Sequence, residues 1–422
     1  MFFSMIDTIL FNDLRKVNVG MKNDTKATIG KLGLLALFMV NIAYMADLAV
    51  IPAADSIYTE FADSPMVLLN FILTGPQLLV VVGAIAATVL MQHMSKKDII
   101  VILMIVFGVA EIFALAIRNP YYLALMRAIG GFCGGCVTPV AIALINEIFA
   151  ADSKKSETYT GIFNGFTSII GAILSAVAGM LCAIQWDCVF YVYYATIPIV
   201  ILLILFVPRT PKEKTRFEDS ASEGADNSEE KINYFKVGMG FFSMIICFAT
   251  INYMSYLSSM YVAETGIGNE SFAGGLVAIL TIAAAVICFL FEPIYSKLGN
   301  QIATLMYGCI LIGYLLAAFA PSTVSTVICY VFLGLGYGIA MAYFYVYIPS
   351  IVPMSKVSTF IALVAAMIGV GTFLSSYLGT FIQTISGQTS MLFVCQVYVV
   401  VTGAAMVIML ISGIRSRSSV QK

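Results

Sequence analysis

A chain of 422 residues that is 60% apolar and 11% charged has too little polar surface for a soluble fold, in which about half the residues are apolar and a quarter charged. Its apolar stretches reach the roughly 20 residues an α-helix needs to cross the hydrocarbon of a bilayer, and they lack the alternation of a membrane barrel strand. The formal net charge of −1 says nothing about nucleic-acid or acidic partners; the composition predicts an all-α integral membrane protein, and no nucleic-acid partner is expected.

Residues 1–30 read as a cytoplasmic N-terminal segment. Arg15 and Lys16 follow the first apolar run instead of preceding it, so no cleavable signal peptide is expected. Ile6, Leu10 and Leu14 make a faint amphipathic stripe suited to a membrane surface, with Met21 as an alternative start.

Six apolar segments follow within a first bundle, residues 31–208: Leu32–Ala53, Met66–Gln92, Ile99–Ile117, Tyr121–Phe149, Tyr159–Ile184 and Val189–Pro208. Residues 209–236, rich in Asp, Glu, Lys and Ser, form a cytoplasmic linker. A second bundle, 237–414, holds Val237–Ala263, Phe272–Tyr295, Ile302–Phe319, Thr323–Ile351, Thr359–Ile385 and Met391–Ile414, and 415–422 is a cytoplasmic tail. Twelve transmembrane helices in two sets of six are predicted.

Lysine and arginine fix the orientation. With both termini in the cytoplasm, Lys31, Lys96, Lys97, Lys154, Lys155, Lys297, Lys356, Arg415, Arg417 and the linker lie inside. Arg118 faces out and Arg127 lies within a span. The outer loops carry Asp55, Glu60, Asp63, Asp187, Glu264 and Glu270 instead. An odd number of spans would mix these sets. A multi-pass protein of the plasma (cell inner) membrane is expected, acting as a monomer.

The halves repeat. Ala43-Tyr44-Met45-Ala46-Asp47-Leu48 aligns with Asn252-Tyr253-Met254-Ser255-Tyr256-Leu257, which sets Tyr256 opposite Asp47. Gly130 and Gly134 in the fourth segment answer Gly334 and Gly338 in the tenth. Gly171 with Ser175 in the fifth answers Gly371 with Ser375 in the eleventh. These glycines are predicted packing positions where helices approach closely. Parallel repeats of this size are one architecture of secondary transporters, with the site at the repeat interface. The nine cysteines are scattered without a disulfide framework, and Cys133-Gly134-Gly135-Cys136 reads as close packing ahead of redox chemistry.

Several motifs resemble the major facilitator superfamily along nearly the whole chain. A degraded loop signature stands at Thr88, Leu90, Gln92, His93, Ser95, Lys96 and Lys97, echoed by Glu292, Ile294, Ser296, Lys297 and Gly299. The fourth-helix signature is kept at Arg127, Gly130 and Gly131. Trp186, Phe190 and Pro198 are similar to the opening of the sixth helix in drug:proton antiporter-like members. Two elements depart from the family. The loop lacks its Asp, which forms the family's cytoplasmic charge lock. The fifth helix reads Gly171-Ala172 and Ser175-Ala176 where antiporters have Gly-Pro and a glycine pair, so the resemblance does not carry antiport over.

Ionisable groups deep in a membrane are costly and are functional candidates by default. At 1.5 Å per residue, Asp47 lies about 24 Å from the cytoplasmic end of its segment, Glu111 falls about 20 Å from Asp98, and Arg127 lies roughly 10 Å below the outer surface. The three share one level. A carboxylate in low dielectric can hold a proton, and a nearby cation opposes this, so Asp47, Arg127 and Glu111 are the candidates for proton coupling. Glu111, on a helix peripheral in the resembled fold, has a structural role as its alternative, and a static ion pair is the alternative for Asp47 and Arg127. Glu147 and Glu292 at cytoplasmic helix ends read as gate or loop contacts.

The resembled fold places Arg127, Asn41, Tyr44, Gln77, Asn164, Asn252, Tyr253, Tyr256 and Tyr343 on cavity-lining helices, as candidates to bind a partly apolar organic solute. His93, the single histidine, lies in a loop, which excludes a histidine relay or metal site within the membrane. No phosphate-binding Gly-Lys-Ser/Thr sequence occurs, and no nucleophile–base cluster is visible, so no enzyme and no cofactor is expected. The leading expectation is a secondary transporter, with protons, a small molecule and the lipid bilayer as partners, that exports an amphipathic compound. The alternatives are uptake or exchange of an organic monoanion on Arg127, and a non-transporting receptor or scaffold.

Overall fold

The first span is not a continuous helix. α1 consists of two limbs, Lys31–Tyr44 and Asp47–Glu60, bent by 54° around a turn at Met45 and Ala46. The computed structural model describes residues 29–149, 153–209, 233–353 and 357–420. The stripe at Ile6, Leu10 and Leu14, the start at Met21 and most of the linker lie outside them.

Five further helices complete the first half. They are α2 (Met66–His93), α3 (Lys96–Ile112), α4 (Pro120–Ile148), α5 (Ser153–Cys182) and α6 (Trp186–Phe206), whose first part is a 3-10 helix. The second half begins with α7 (Tyr234–Tyr256), which breaks at Leu257 and resumes over Ser258–Thr265. It continues with α8 (Glu270–Phe289), α9 (Ile302–Phe319), α10 (Thr323–Ser350), α11 (Val357–Ser386) and α12 (Met391–Val420). Among the described residues ten helices are long and apolar enough to cross a membrane, and α1 makes eleven. The 17 residues of α3 meet the lower limit for a span and complete twelve.

Local chemistry sets many of the ends. Ser95, Asn119, Asn233 and Asn269 accept from backbone N–H groups of the first turns of α3, α4, α7 and α8, and Ser322 with Ser325 forms a capping box on α10. Gly266, at a φ of 65°, closes the second limb of α7. The third span stops at Ile112, short of the expected Ile117, because 113–117 turn away into the loop that Tyr122 holds by donating to the Phe113 carbonyl.

Both termini of the described chain and the ends of the linker lie at one face of the bundle, the linker face. The turns at 61–65, 113–119, 183–185, 266–269, 320–322 and 387–390 lie at the opposite, distal face. The halves are joined in the distal part. Asn70 and Thr74 of α2 bond Thr380 and Ser376 of α11 at 3.0 and 2.9 Å, and Ser175 of α5 donates to the Gly274 carbonyl of α8 at 2.8 Å. Gly179 and Gly274 meet nearly backbone to backbone.

Towards the linker face the same helix faces lose their partners. The α5 stripe that touches α8 at Gly179 and Ser175 continues through Gly165, Asn164 and Gly161; Asn164 is exposed, and nothing lies within 4 Å of a Cβ built on either glycine. On α2 the stripe of Asn70 and Thr74 continues to Ile85 and Val89, which are 65% and 53% exposed. A cleft therefore opens between the halves at the linker face and tapers to an apex near Gln77.

The structure resets the repeat register. Asn41 on α1 is held by Thr167 of α5 and itself donates to the Phe38 carbonyl. Asn252 on α7 likewise pairs with a threonine of the equivalent helix and with its own helix, here donating to Thr372 of α11 and to the Phe248 carbonyl. The break at Met45–Ala46 then answers the break at Leu257. Asp47 faces Ser258 in this register, and not Tyr256 as the sequence alignment suggests, because a short identity around Tyr-Met outweighed the paired asparagines.

Candidate functional site

Four helices of the first half converge on Arg127. Its Nη2 donates to Oδ1 of Asp47 at the break of α1. Nη1 donates to Oε1 of Glu111 on α3 at 3.0 Å, and Nε to the Ile72 carbonyl of α2 at 3.4 Å. Arg127 and Glu111 are fully buried and Asp47 is 5% exposed. A buried cation without partners would be costly enough to unfold the bundle; here both carboxylates face it.

The apex of the cleft adds two donors. Gln77 Nε2 donates to Oδ2 of Asp47 at 2.6 Å, and the Tyr256 hydroxyl reaches the same oxygen from the other half at 3.4 Å. Tyr193 of α6 fills the turn in α1, its hydroxyl donating to the Ala46 carbonyl at 2.7 Å. The Ala46 carbonyl thus accepts from Tyr193 as well as from the Ala49 N–H.

Glycine makes this arrangement possible. A Cβ at Gly130 would collide with the Glu111 carboxyl, so Gly130, one turn after Arg127, is the seat of Glu111. Gly134 lies against the backbone of Ala43 and Tyr44, and Gly171 against Leu48 and Met45, packing α4 and α5 around the break. Gly334 and Gly338 meet α8 at Leu280 and Ala284, and Gly371 meets α7 at Ile245 and Phe248. Gly83, Gly131 and Gly135 bring α2 and α4 together in the same manner; their single occurrences, without a partner in the other half, gave the repeat no signal. Cys133 and Cys136 are buried thiols, and Cys136 donates to the Gly83 carbonyl at this contact.

Other candidates divide by rotation about their helix axes. Tyr44 and Gln77 are half-buried at the apex and Asn164 is exposed in the cleft. Asn41 is enclosed, its amide spent on Phe38, Phe163 and Thr167. Asn252 is spent on Phe248 and Thr372, and Tyr253 is buried against Tyr398 and Gly379. Tyr343 is buried and packs on Phe344 and Tyr347 within its own half. Tyr337 and Tyr345, two turns apart on α10, lie within electrostatic reach of Tyr44 across the halves; the i, i+4, i+8 spacing through Met341 could have singled them out. Arg127 is enclosed as well, so it does not line the cleft.

At the linker face, Lys96 of the degraded loop signature is buried and pairs with Glu147 of α4 at 3.0 Å. Arg209 pairs with Asp98 at 3.0 Å, which fastens the start of the linker to α3. At the distal face Arg118 joins Glu60 and Asp187, each at 3.1 Å. Glu292 lies exposed on the short helix Phe291–Leu298 after α8.

Twelve helices in two halves around a one-sided cleft, with charges buried at its apex, define a membrane transporter and not an enzyme. The family model of the Major Facilitator Superfamily matches residues 36–376; the chain belongs to this family of transporters of small solutes. A multidrug resistance protein of Shewanella oneidensis, MdtL, is 26% identical over 148 residues, 35% of this chain and 37% of that protein. Multidrug resistance protein 3 of Bacillus subtilis is 33% identical over 93 residues, 22% of this chain and 17% of that protein. The matched stretches thus span well under half of either relative. Among solved structures, the nucleoside transporter NupG superposes with a TM-score of 0.73 at 11% identity, over 90% of this chain and 98% of that one. A D-xylose–proton symporter does so with 0.71 at 14% identity, over 89% and 96%. At such identities the superpositions speak for the fold alone.

Proposed function

We propose that the chain couples proton movement to export of an amphipathic organic compound. The observation that carries this reading is that two carboxyl groups, Asp47 and Glu111, share one guanidinium inside the membrane. With both ionised the cluster holds an excess negative charge in low dielectric, which is costly, and one proton cancels it. The names of the two multidrug relatives support export.

The lysine and arginine partition puts the linker face in the cytoplasm, so the cleft opens inward. A solute enters between Tyr44, Gln77 and Asn164 on one side and Tyr337 and Tyr345 on the other, a lining of aromatic and amide groups suited to a partly apolar molecule. Opening of the distal contacts withdraws Tyr256 from Asp47 together with its half. The guanidinium is then redistributed between the two carboxyls, and a proton enters as the solute leaves. The cluster carries that proton back to the inward-open state, where binding of the next solute releases it inside. Uptake of an organic anion on Arg127 is disfavoured, because its guanidinium is fully buried and already faces Asp47, Glu111 and the Ile72 carbonyl.

Purified protein in liposomes, offered a panel of amphipathic cations and neutral compounds, tests this. Accumulation against a gradient that follows an imposed pH difference and collapses with a protonophore supports the reading. Movement indifferent to pH for every transported compound overturns the coupling.

A further inference from the structure

We infer that in this inward-open conformation Glu111, at Oε2, holds the proton of the cluster, while Asp47 is the anion. This deepens the proton-coupled reading and rests on it.

Hydrogen-bond accounting separates the two carboxyls. Each receives one guanidinium N–H from Arg127, on Oδ1 of Asp47 and on Oε1 of Glu111. Asp47 then receives two further donors on Oδ2, from Gln77 and Tyr256. Such a set favours the ionised form, since each added donor lowers the free energy of the anion. Oε2 of Glu111 is buried and no donor among the described residues reaches it. An ionised oxygen there would bear charge without a partner, the costliest arrangement in a dry interior.

The surroundings of Glu111 supply no rescue. The titratable groups that face it are Arg127 and Cys133 of α4, Asp47 of α1 and Tyr193 of α6. Arg127 is already engaged through Oε1. The Tyr193 hydroxyl donates to the Ala46 carbonyl. From α2 the Ile72 carbonyl accepts from Arg127, and Gly130 leaves room for the Glu111 carboxyl without a side chain to donate to it. Charge counting agrees: one proton on Glu111 leaves Asp47 and Arg127 as a neutral pair. Loading forms one O–H bond at Oε2 with a proton drawn from water, unloading breaks it, and no other bond changes.

Infrared spectroscopy on the full-length protein reads this without any transport assay. The protein is made by cell-free synthesis with the side-chain carboxyl carbon labelled with 13C in either glutamate or aspartate. A protonated-carboxyl C=O band is expected at neutral pH, moving to lower frequency in the glutamate-labelled sample, unmoved in the aspartate-labelled one, and lost at high pH. Glu111 is the one buried glutamate among the described residues, and Glu111→Gln, which mimics the protonated side chain, should remove the band. A band that moves with labelled aspartate, or no protonated carboxyl at neutral pH, overturns the assignment. The labelled wild-type samples decide between the residue types even if the variant does not fold. Failure here with intact pH-driven transport would leave proton coupling standing and move its site.

Discussion

Tyr256 of α7 reaches Oδ2 of Asp47 on α1 at 3.4 Å, so a hydroxyl of one half rests on the charge cluster of the other. The contact sits where the cleft closes, beside the hydrogen bonds of Asn70 and Thr74 with α11. It ties the charge cluster of the first half to the position of the second.

Removing that hydroxyl should loosen the distal closure. A hydrogen bond to a charged group contributes about 1.5–3 kcal/mol at good geometry. This one is long, so Tyr256→Phe is expected to cost about 1 kcal/mol, roughly a fivefold shift towards the distal-open state. Spin labels on the turns at 61–65 and 387–390 would report it as a larger long-distance fraction. An unchanged distance distribution would show that Tyr256 bears no part of the closure.

Bulk at the close helix contacts should be poorly tolerated. Gly134→Leu drives a side chain into the Ala43 backbone, and Gly338→Leu into Ala284 and Ile287; overpacking of this kind costs about 1–3 kcal/mol or more. Lower folded yield or lost transport is expected in both. Gly130→Ala should act differently, since its Cβ meets the Glu111 carboxyl and should disturb the pH response before the fold. Normal yield and transport in all three would remove the packing argument.

Orientation rests on charge placement and is open to direct test. Reporter fusions near Ser220 and at Lys422 should report the cytoplasm, and insertions near Asp55, Asp187 and Glu264 the exterior. Either of the first two appearing outside would reverse the cleft and overturn the proposed direction of transport.

Much of this molecule is legible in the sequence because its physics is one-dimensional. Span lengths follow from bilayer thickness, and a charge in an apolar run stands out whatever its rotation. Counting rise per residue sets Asp47, Arg127 and Glu111 at one level, and the structure brings them into contact. Rotation about the helix axis is not readable in the same way. Asn41, Asn252, Tyr253 and Tyr343 are enclosed while Tyr337 and Tyr345 lie towards the cleft, since apolar residues line every face of a membrane helix and leave no amphipathic stripe. The breaks at Met45–Ala46 and Leu257 carry no proline or glycine; they depend on tertiary partners such as Tyr193. The seat that Gly130 makes for Glu111 is likewise visible only once α3 and α4 are packed.

Solute-evoked proton movement tests the central claim most directly. In liposomes loaded with a pH-sensitive dye, adding a transported compound to the wild type should produce an internal pH change whose initial rate follows solute flux. Asp47→Asn leaves one carboxyl for one guanidinium, so no excess charge remains to take up a proton. In that variant, folded and still able to exchange solute, the pH change should vanish. A proton signal of wild-type size in Asp47→Asn would contradict the account and place coupling outside the Asp47–Arg127–Glu111 cluster.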